Sequence, residues 1–430
     1  MKTLIVWLLA IAPAWPADNP DPGISARDKL WIASKIYASI ESRFGHWQAI
    51  PGFDLDKAYQ EYLDEIAGTT SRREFDLATI AFVAKLRNGH STFSDQWLGA
   101  RSQLPGFYLG LEGGQWVVKR SGRAGLEPGD VVISIAGKPT GQFVAERMKY
   151  IAASSEFARR TGVFFFSPVW PAQFDVELAD GRRVNIDRTQ PTAVQWVFGT
   201  PGRAPEDVAY LRIPSFGEPK YEQEAIAFLE AHKDAPAVIF DVRGNGGGST
   251  PEQLIRAIMD RPWPQWIEST SVHFPLFRTY GELFSSQDAA ADPRHEGYLE
   301  AFASYFAHPY LMLPAPMSQP EKPIYTGRVV ILADLSCGSA CEDFVMPLKC
   351  SGRATVVGGT TGGSSGQPYM YDFKNGMFFR VSTKRMYFPD GSEFEGKGIS
   401  PDVEVIPTAA DIKAGRDPAL ERAVALARGK

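Results

Sequence analysis

The segment Phe240-Asp-Val-Arg-Gly-Asn-Gly-Gly-Gly248 constrains this chain more than any other. It follows a short apolar run, Ala237-Val-Ile-Phe-Asp241, that reads as a buried strand, and it precedes a helical stretch at 250–259. Val208–Ile213, Val329–Leu332 and Thr355–Val357 are further buried-strand candidates, with helical stretches at 221–232 and 339–349. Such alternation predicts an α/β layered core. Glycines after a strand let main-chain amides point into a cleft with no Cβ in the way. A nest of that kind binds an anion or a developing oxyanion. Phosphate cradling is a second reading, although neither the Gly-x-Gly-x-x-Gly spacing nor a Walker Lys is present. A tight structural turn is the third.

Composition narrows the classes. With 430 residues, 44% hydrophobic, the chain is long enough for two to four domains at roughly 100–200 residues each. Ten Trp and 27 Phe are too much apolar surface for a disordered chain. A net charge of −5 supplies no basic excess for a nucleic-acid partner. Six His and three Cys exclude a zinc-finger or iron–sulfur framework, and neither metal nor cofactor is expected. At the N-terminus, Lys2, the apolar run Thr3–Ala12 and the small residues Ala12 and Ala14 form a secretory signal pattern. Residues 1–17 are therefore expected to be cleaved, leaving an exported protein, periplasmic or secreted. The run is too short to span a bilayer, and no stable membrane insertion is expected.

Residues 18–100 read as an N-terminal helical domain. Leu30, Ile32, Ile36, Ile40 and Phe44 recur at helical spacing, Asp54 or Asp56 starts a second helix, and Thr70 a third that ends at Arg87-Asn-Gly-His90. Residues 101–188 change to short strand-like runs around Ala124-Gly-Leu-Glu-Pro-Gly-Asp130 and Ala136-Gly137. That pattern resembles a PDZ domain, which binds a chain end as an added strand. The resemblance implies a peptide-binding loop at Tyr108, Leu109, Gly110 and Leu111. Residues 189–430 form the predicted core. Residues 262–325 interrupt it as a Pro- and aromatic-rich insertion, with one helix near 297–306. Lys374-Asn-Gly376 signals a hairpin, and a surface helix closes the chain from Thr408.

Two more segments carry candidate chemistry. In Asp334-Leu-Ser-Cys-Gly-Ser-Ala-Cys-Glu342 a strand ends and a helix begins at Ser339. Ser339 is either an N-cap, with Glu342 completing a capping box, or a nucleophile favoured by the helix dipole and the Ala340 amide. Phe394-Glu-Gly-Lys-Gly-Ile-Ser-Pro-Asp402 follows a turn and holds Glu395, otherwise a solvated loop residue.

Together these motifs resemble the carboxyl-terminal processing (tail-specific) serine peptidase family. Asp241, Arg243, Asn245, Gly247 and Gly248 match one of its marks. Ser339, Ala340 and Glu342 match a second, Glu395 through Asp402 a third, and Gly89-His90-Ser91 a fourth. The resemblance implies a core of crotonase/Clp-protease type with an inserted PDZ domain and an N-terminal helical domain. It also implies protein or peptide substrates with free C-termini; the oligomeric state is left open. Many members pair the Ser with a Lys, but the matching position in Gly358-Gly-Thr-Thr-Gly-Gly-Ser-Ser-Gly366 is Ser364. The tricorn-type branch uses His and Glu instead, at the positions of His90 and Glu395. Physics agrees: Ser needs a base, His titrates in the right range, and a carboxylate fixes its tautomer. The expected roles are Ser339 as nucleophile, His90 as general base and Glu395 as orienter, with oxyanion donors at Gly246, Gly247 and Ala340. Gly89 leaves Ser91 or Thr92 to join Glu395 to His90. The remaining His residues read as surface or insertion residues. A non-catalytic peptide- or lipid-binding protein on the same fold is the rival reading. It draws on the missing Lys and the aromatic residues between Phe274 and Tyr305.

The three Cys residues flank Ser339. Cys341 and Cys350 lie nine residues apart in one predicted helix, about 13 Å along its axis, too far to pair. Cys337–Cys341 is the possible disulfide, leaving Cys350 as a small core residue.

Overall fold

The computed structural model describes residues 21–190, 192, 204–273, 275, 279 and 310–430. The signal segment, the helix near 297–306 and the aromatic residues from Phe274 to Tyr305 lie outside the described residues. No helix among the described residues is long and apolar enough to cross a membrane.

A five-stranded parallel sheet forms the core, ordered 403–404, 354–358, 328–333, 237–241, 209–212. The strand Ala237–Asp241 is buried at every position, as the middle of a sheet covered on both faces requires. Alternate side chains go to opposite layers. Val238, Phe240, Val329 and Ile331 pack with the helices Glu252–Ile258 and Ala340–Cys350. Ile239, Val330 and Leu332 pack with the helix Pro418–Ala427. That last helix buries Leu420, Ala423 and Val424, so it is one layer of the core rather than the surface helix expected.

Three helices, Ala26–Arg43, Leu55–Ala67 and Arg72–Ala84, open the described chain. Asp54 caps the second. The third starts at Ser71, whose side chain forms a reciprocal capping box with Glu74, one residue later than the Thr70 start read from sequence. These helices share one apolar cluster with Met377, Phe379 and Val381 from the distant strand Met377–Ser382. Thr92–Asp95 adds to that strand antiparallel, and Pro368–Asp372 flanks its other side.

The middle of the chain is a separate β-rich cluster. The hairpin Phe107–Glu112/Gln115–Ser121 stands beside a four-stranded sheet ordered 138–139, 132–135, 173–178, 183–187. Ala136 and Gly137 both have positive φ, 51° and 74°, as a two-residue hairpin turn of matching twist requires.

Candidate active site

Two parallel strands deliver their carboxyl ends to one place, where ligands of open α/β sheets bind. Strand 237–241 runs into the Gly-rich loop, and strand 328–333 into Asp334–Gly338. Ser339 follows at φ 55°, ψ −125°, a backbone state that costs about 1–3 kcal/mol for a non-glycine residue. Its surroundings hold it there. The Ser339 amide donates to the Ser364 carbonyl at 2.9 Å and to Glu342 Oε2 at 3.1 Å. Glu342 is fully buried. It also accepts from the Thr361 hydroxyl (2.5 Å), the Gly363 amide (2.7 Å) and the Ser364 amide (3.1 Å). One carboxylate thereby fastens the Ser339 turn to the loop 358–366. Burial pushes its pKa up to about 8 against those bonds. A disulfide joins Cys337 to Cys341 across Ser339. Cys350 is free and exposed: it ends its helix at the surface instead of filling the core.

The Ser339 hydroxyl lies 3.2 Å from His90 Nε2. His90 arrives on the corner between the third helix and Thr92–Asp95. Arg380 Nη2 pins that corner by donating to the Gly89 carbonyl at 3.1 Å, and Asn88 Oδ1 accepts from the His90 amide at 2.9 Å.

Glu395 does not touch His90 directly. His90 Nδ1 is 3.1 Å from Ser364 Oγ, which is 3.1 Å from Ser154 Oγ, which hydrogen-bonds Glu395 Oε1 at 2.6 Å. The Gly89 amide also donates to Ser154 Oγ (3.1 Å). Glu395 accepts further from Asn88 Nδ2 (3.0 Å) and the Ser365 amide (3.2 Å). Hydroxyls link the whole row. Ser339 donates to Nε2, Nδ1–H to Ser364 and Ser154 to the carboxylate, while Ser154 is also the hydroxyl aligned to donate to Ser364, so its one proton serves either the carboxylate or Ser364. The tautomer is assigned from this network; it leaves Nε2 free to take a proton.

Neither residue expected to bridge Glu395 and His90 does so. Ser91 bonds Asn88 Oδ1 and the Ser382 amide, and Thr92 accepts from Arg380. The bridging hydroxyls belong to Ser364, which the sequence marked only as the place of an absent Lys, and to Ser154, which no motif marked.

Electrostatics follow from burial. Desolvation, with Arg380 and Lys384 nearby, pulls His90 down to about 3, so the ring is neutral near pH 7. Desolvation pushes Glu395 up to about 7, opposed by its bonds from Ser154 and Ser365 and by Arg385. His46, expected at the surface, is fully buried, with Nε2 2.8 Å from Ser382 Oγ. Burial pulls it to about 3 as well.

Of the three expected oxyanion donors, the Ala340 and Gly246 amides have no hydrogen-bond partner among the described residues. The Gly247 amide instead donates to Asn245 Oδ1 at 2.9 Å. The Asn side chain folds back two residues on, as Asx turns do, and removes Gly247 from the donor set. Gly247 matters sterically: at φ 96° a Cβ there would meet the Gly338 carbonyl oxygen at 2.6 Å and the Ala340 amide at 2.8 Å.

Tyr108, Leu109, Gly110 and Leu111 lie in the hairpin strand Phe107–Glu112, and the Tyr108 phenol, its pKa raised by burial, also feels the charge of Asp334 on the segment that leads into Ser339. One edge of the strand pairs with 115–121, and the other has no strand partner among the described residues. Leu109 is buried in the β-rich cluster, and the Tyr108 ring sits 5.0 Å from that of Phe165.

Residues 207–405 match the model of peptidase family S41. The chloroplastic C-terminal processing peptidase of Tetradesmus obliquus is 23% identical over 296 residues, 66% of this chain and 55% of that protein. Putative tricorn protease homolog 2 of Streptomyces coelicolor is 25% identical over 412 residues, 87% of this chain and 30% of that protein. The chain thus spans about half the length of the first and under a third of the second. The solved structure of mature CPAF complexed with lactacystin has a TM-score of 0.70 at 15% identity, covering 93% of this chain and 98% of that one. At that identity the likeness is one of fold. The chain is S41-peptidase-like, with a mixed α/β fold similar to these peptidases.

Proposed function

We propose that this protein is an exported serine endopeptidase that cleaves extended protein segments, with Ser339 as nucleophile and His90 as general base. The contact that carries the reading is His90 Nε2 to Ser339 Oγ at 3.2 Å, within reach for proton transfer. Ser339 attacks the scissile carbonyl as its proton passes to Nε2. The new imidazolium is stabilised along Ser364 and Ser154 to the Glu395 carboxylate. The Ala340 amide, at the start of a helix, and the Gly246 amide receive the oxyanion; one such donor is worth about 10²–10³ in rate. His90 then gives its proton to the leaving amine.

The β-rich cluster acts, in this reading, as a PDZ domain whose strand Phe107–Glu112 offers its open edge to substrate tails. Export rests on the N-terminal signal pattern and on a disulfide beside the nucleophile, which needs an oxidising compartment.

A fluorophosphonate probe tests the reading. Ser339 is expected to be labelled in the native protein, and Ser339→Ala to abolish both labelling and hydrolysis while the fold is kept. A native protein that resists the probe yet binds peptides tightly would instead be the non-catalytic binder.

A further inference from the structure

The strand Pro368–Asp372 is the outer member of a three-stranded sheet, and its free edge has a defined chemistry. It pairs antiparallel with Met377–Ser382: Tyr369 faces Val381, Met370 faces Arg380, Tyr371 faces Phe379. One step further, the Phe373 amide donates to the Met377 carbonyl at 3.1 Å. Hydrogen-bonded and non-hydrogen-bonded positions alternate along such a pair. Counting back from Phe373, Tyr371 and Tyr369 bond inward. The Met370 amide and carbonyl, the Asp372 amide and the Pro368 carbonyl turn outward. No hydrogen bond from a described residue reaches them. The Met370 side chain is 60% exposed. Pro368 occupies an outward position, where the missing N–H costs no ladder bond.

This edge begins at the candidate site. Ser364, four residues before Pro368, holds the Ser339 amide through its carbonyl and His90 Nδ1 through its hydroxyl. A Cβ at Gly366 would stand 3.2 Å from His90 Cβ. Met370 shares a sheet face with Arg380, the residue that pins the His90 corner through the Gly89 carbonyl. On the other face, Lys35 lies 4.6 Å from the Tyr371 ring and Arg43 4.1 Å from the Tyr369 ring.

We propose that the substrate adds to this edge as a fourth strand, antiparallel to Pro368–Asp372, held by main-chain hydrogen bonds centred on Met370. The proposal rests on the peptidase reading and adds to it where and how substrate binds. Direction follows from topology. The strand runs away from His90, so an antiparallel segment runs toward Ser339. Residues on the N-terminal side of the scissile bond therefore lie along the edge. Recognition through the main chain selects for an unfolded segment over a particular side chain, and alternate side chains meet the Tyr369–Tyr371 face with its two cations. Acidic residues at those alternate positions complement Lys35 and Arg43.

Met370→Pro tests this, because it deletes an outward amide and leaves the ladder to 377–382 intact; Met370→Thr keeps the amide. In a Ser339→Ala background, the affinity of a fluorescent casein peptide is read by anisotropy. Met370→Pro is expected to weaken binding about tenfold, the worth of one lost hydrogen bond, and Met370→Thr to leave it unchanged. Should Met370→Pro fail to fold, Asp372→Pro strips the neighbouring outward amide and takes its place. Equal affinities across the variants would overturn the proposal. So would a concentration-dependent dimer in sedimentation that Met370→Pro abolishes, since a second copy would then own the edge. Near-ultraviolet circular dichroism of each variant is expected to match the parent, which separates a lost hydrogen bond from a lost fold. Failure of the native protein to label with the fluorophosphonate probe counts against Ser339 as nucleophile, while the binding arm decides the edge on its own.

Discussion

Four hydrogen bonds join Ser339 to Glu395, and three of them involve the Ser364 and Ser154 hydroxyls, which a three-residue catalytic group does not contain. A hydroxyl passes on polarity only if it both accepts and donates, so each is a single point of failure. Ser364→Ala leaves Nδ1–H without its acceptor and frees the ring to turn. We expect kcat to fall about 10²–10⁴-fold, the range for losing an oriented general base, with KM little changed; steady-state kinetics on a peptide substrate checks it. The pH profile separates the two ionisable partners. Glu395 is raised to about 7 and His90 lowered to about 3. Only the carboxylate form of Glu395 stabilises an imidazolium, so kcat/KM is expected to rise with pH through about 7. His90 adds no limb above pH 4. Glu395→Gln removes the limb and leaves low, flat activity; a limb that persists in that variant would assign it to another group. The sequence marked Ser339, His90 and Glu395 because each sits in an extended motif. Ser154 was beyond it, because one hydroxyl on a loop leaves no periodic or spaced signal and gains its role only when distant segments meet.

Among elements, the turn at Ser339 is the most heavily restrained. Its positive φ opposes it; the Glu342 clamp and the Cys337–Cys341 disulfide favour it. Closing so short a loop contributes about 2 kcal/mol in the chain-entropy account. Cys337→Ser is expected to lower unfolding stability by about that much and to slow fluorophosphonate labelling of Ser339, because the turn is released as well as the chain. Denaturant titration and labelling rates read the two effects separately. Gly247→Ala is a sharper case. The added methyl meets the Gly338 carbonyl oxygen and the Ala340 amide at a φ that disfavours any Cβ. Activity should be lost, with stability reduced by about 1–3 kcal/mol. The buried strands and the helices packed on them were legible, since long apolar runs and helical spacing survive in sequence. Thr92–Asp95 was not: four residues, alternating between half-buried and buried, become a strand only by pairing with Met377–Ser382, 285 positions on between Thr92 and Met377.

At the scale of the molecule, the candidate site is assembled from three parts of the chain. His90 comes from the N-terminal helical part, Ser154 from a loop in the middle of the β-rich segment, just before the helix Glu156–Gly162, and Ser339, Ser364 and Glu395 from the core. The N-terminal helices have no closed core of their own, because Met377, Phe379 and Val381 complete it. The position of His90 therefore depends on packing made by the C-terminal hairpin. Phe379, 1% exposed, is the test. Phe379→Ala is expected to cost about 3–5 kcal/mol. Its neighbour in the strand, Arg380, holds Gly89, so the loosened strand moves the His90 corner and kcat falls too. Leu420→Ala is the control: it is also buried, at 5%, but in the layer under the helix Pro418–Ala427. It is expected to cost about 2–5 kcal/mol with kcat preserved at temperatures where both variants are folded. Equal effects on kcat would mean that the site senses global stability alone. A loss confined to Phe379→Ala would locate the coupling in the shared core between the N-terminal helices and the hairpin.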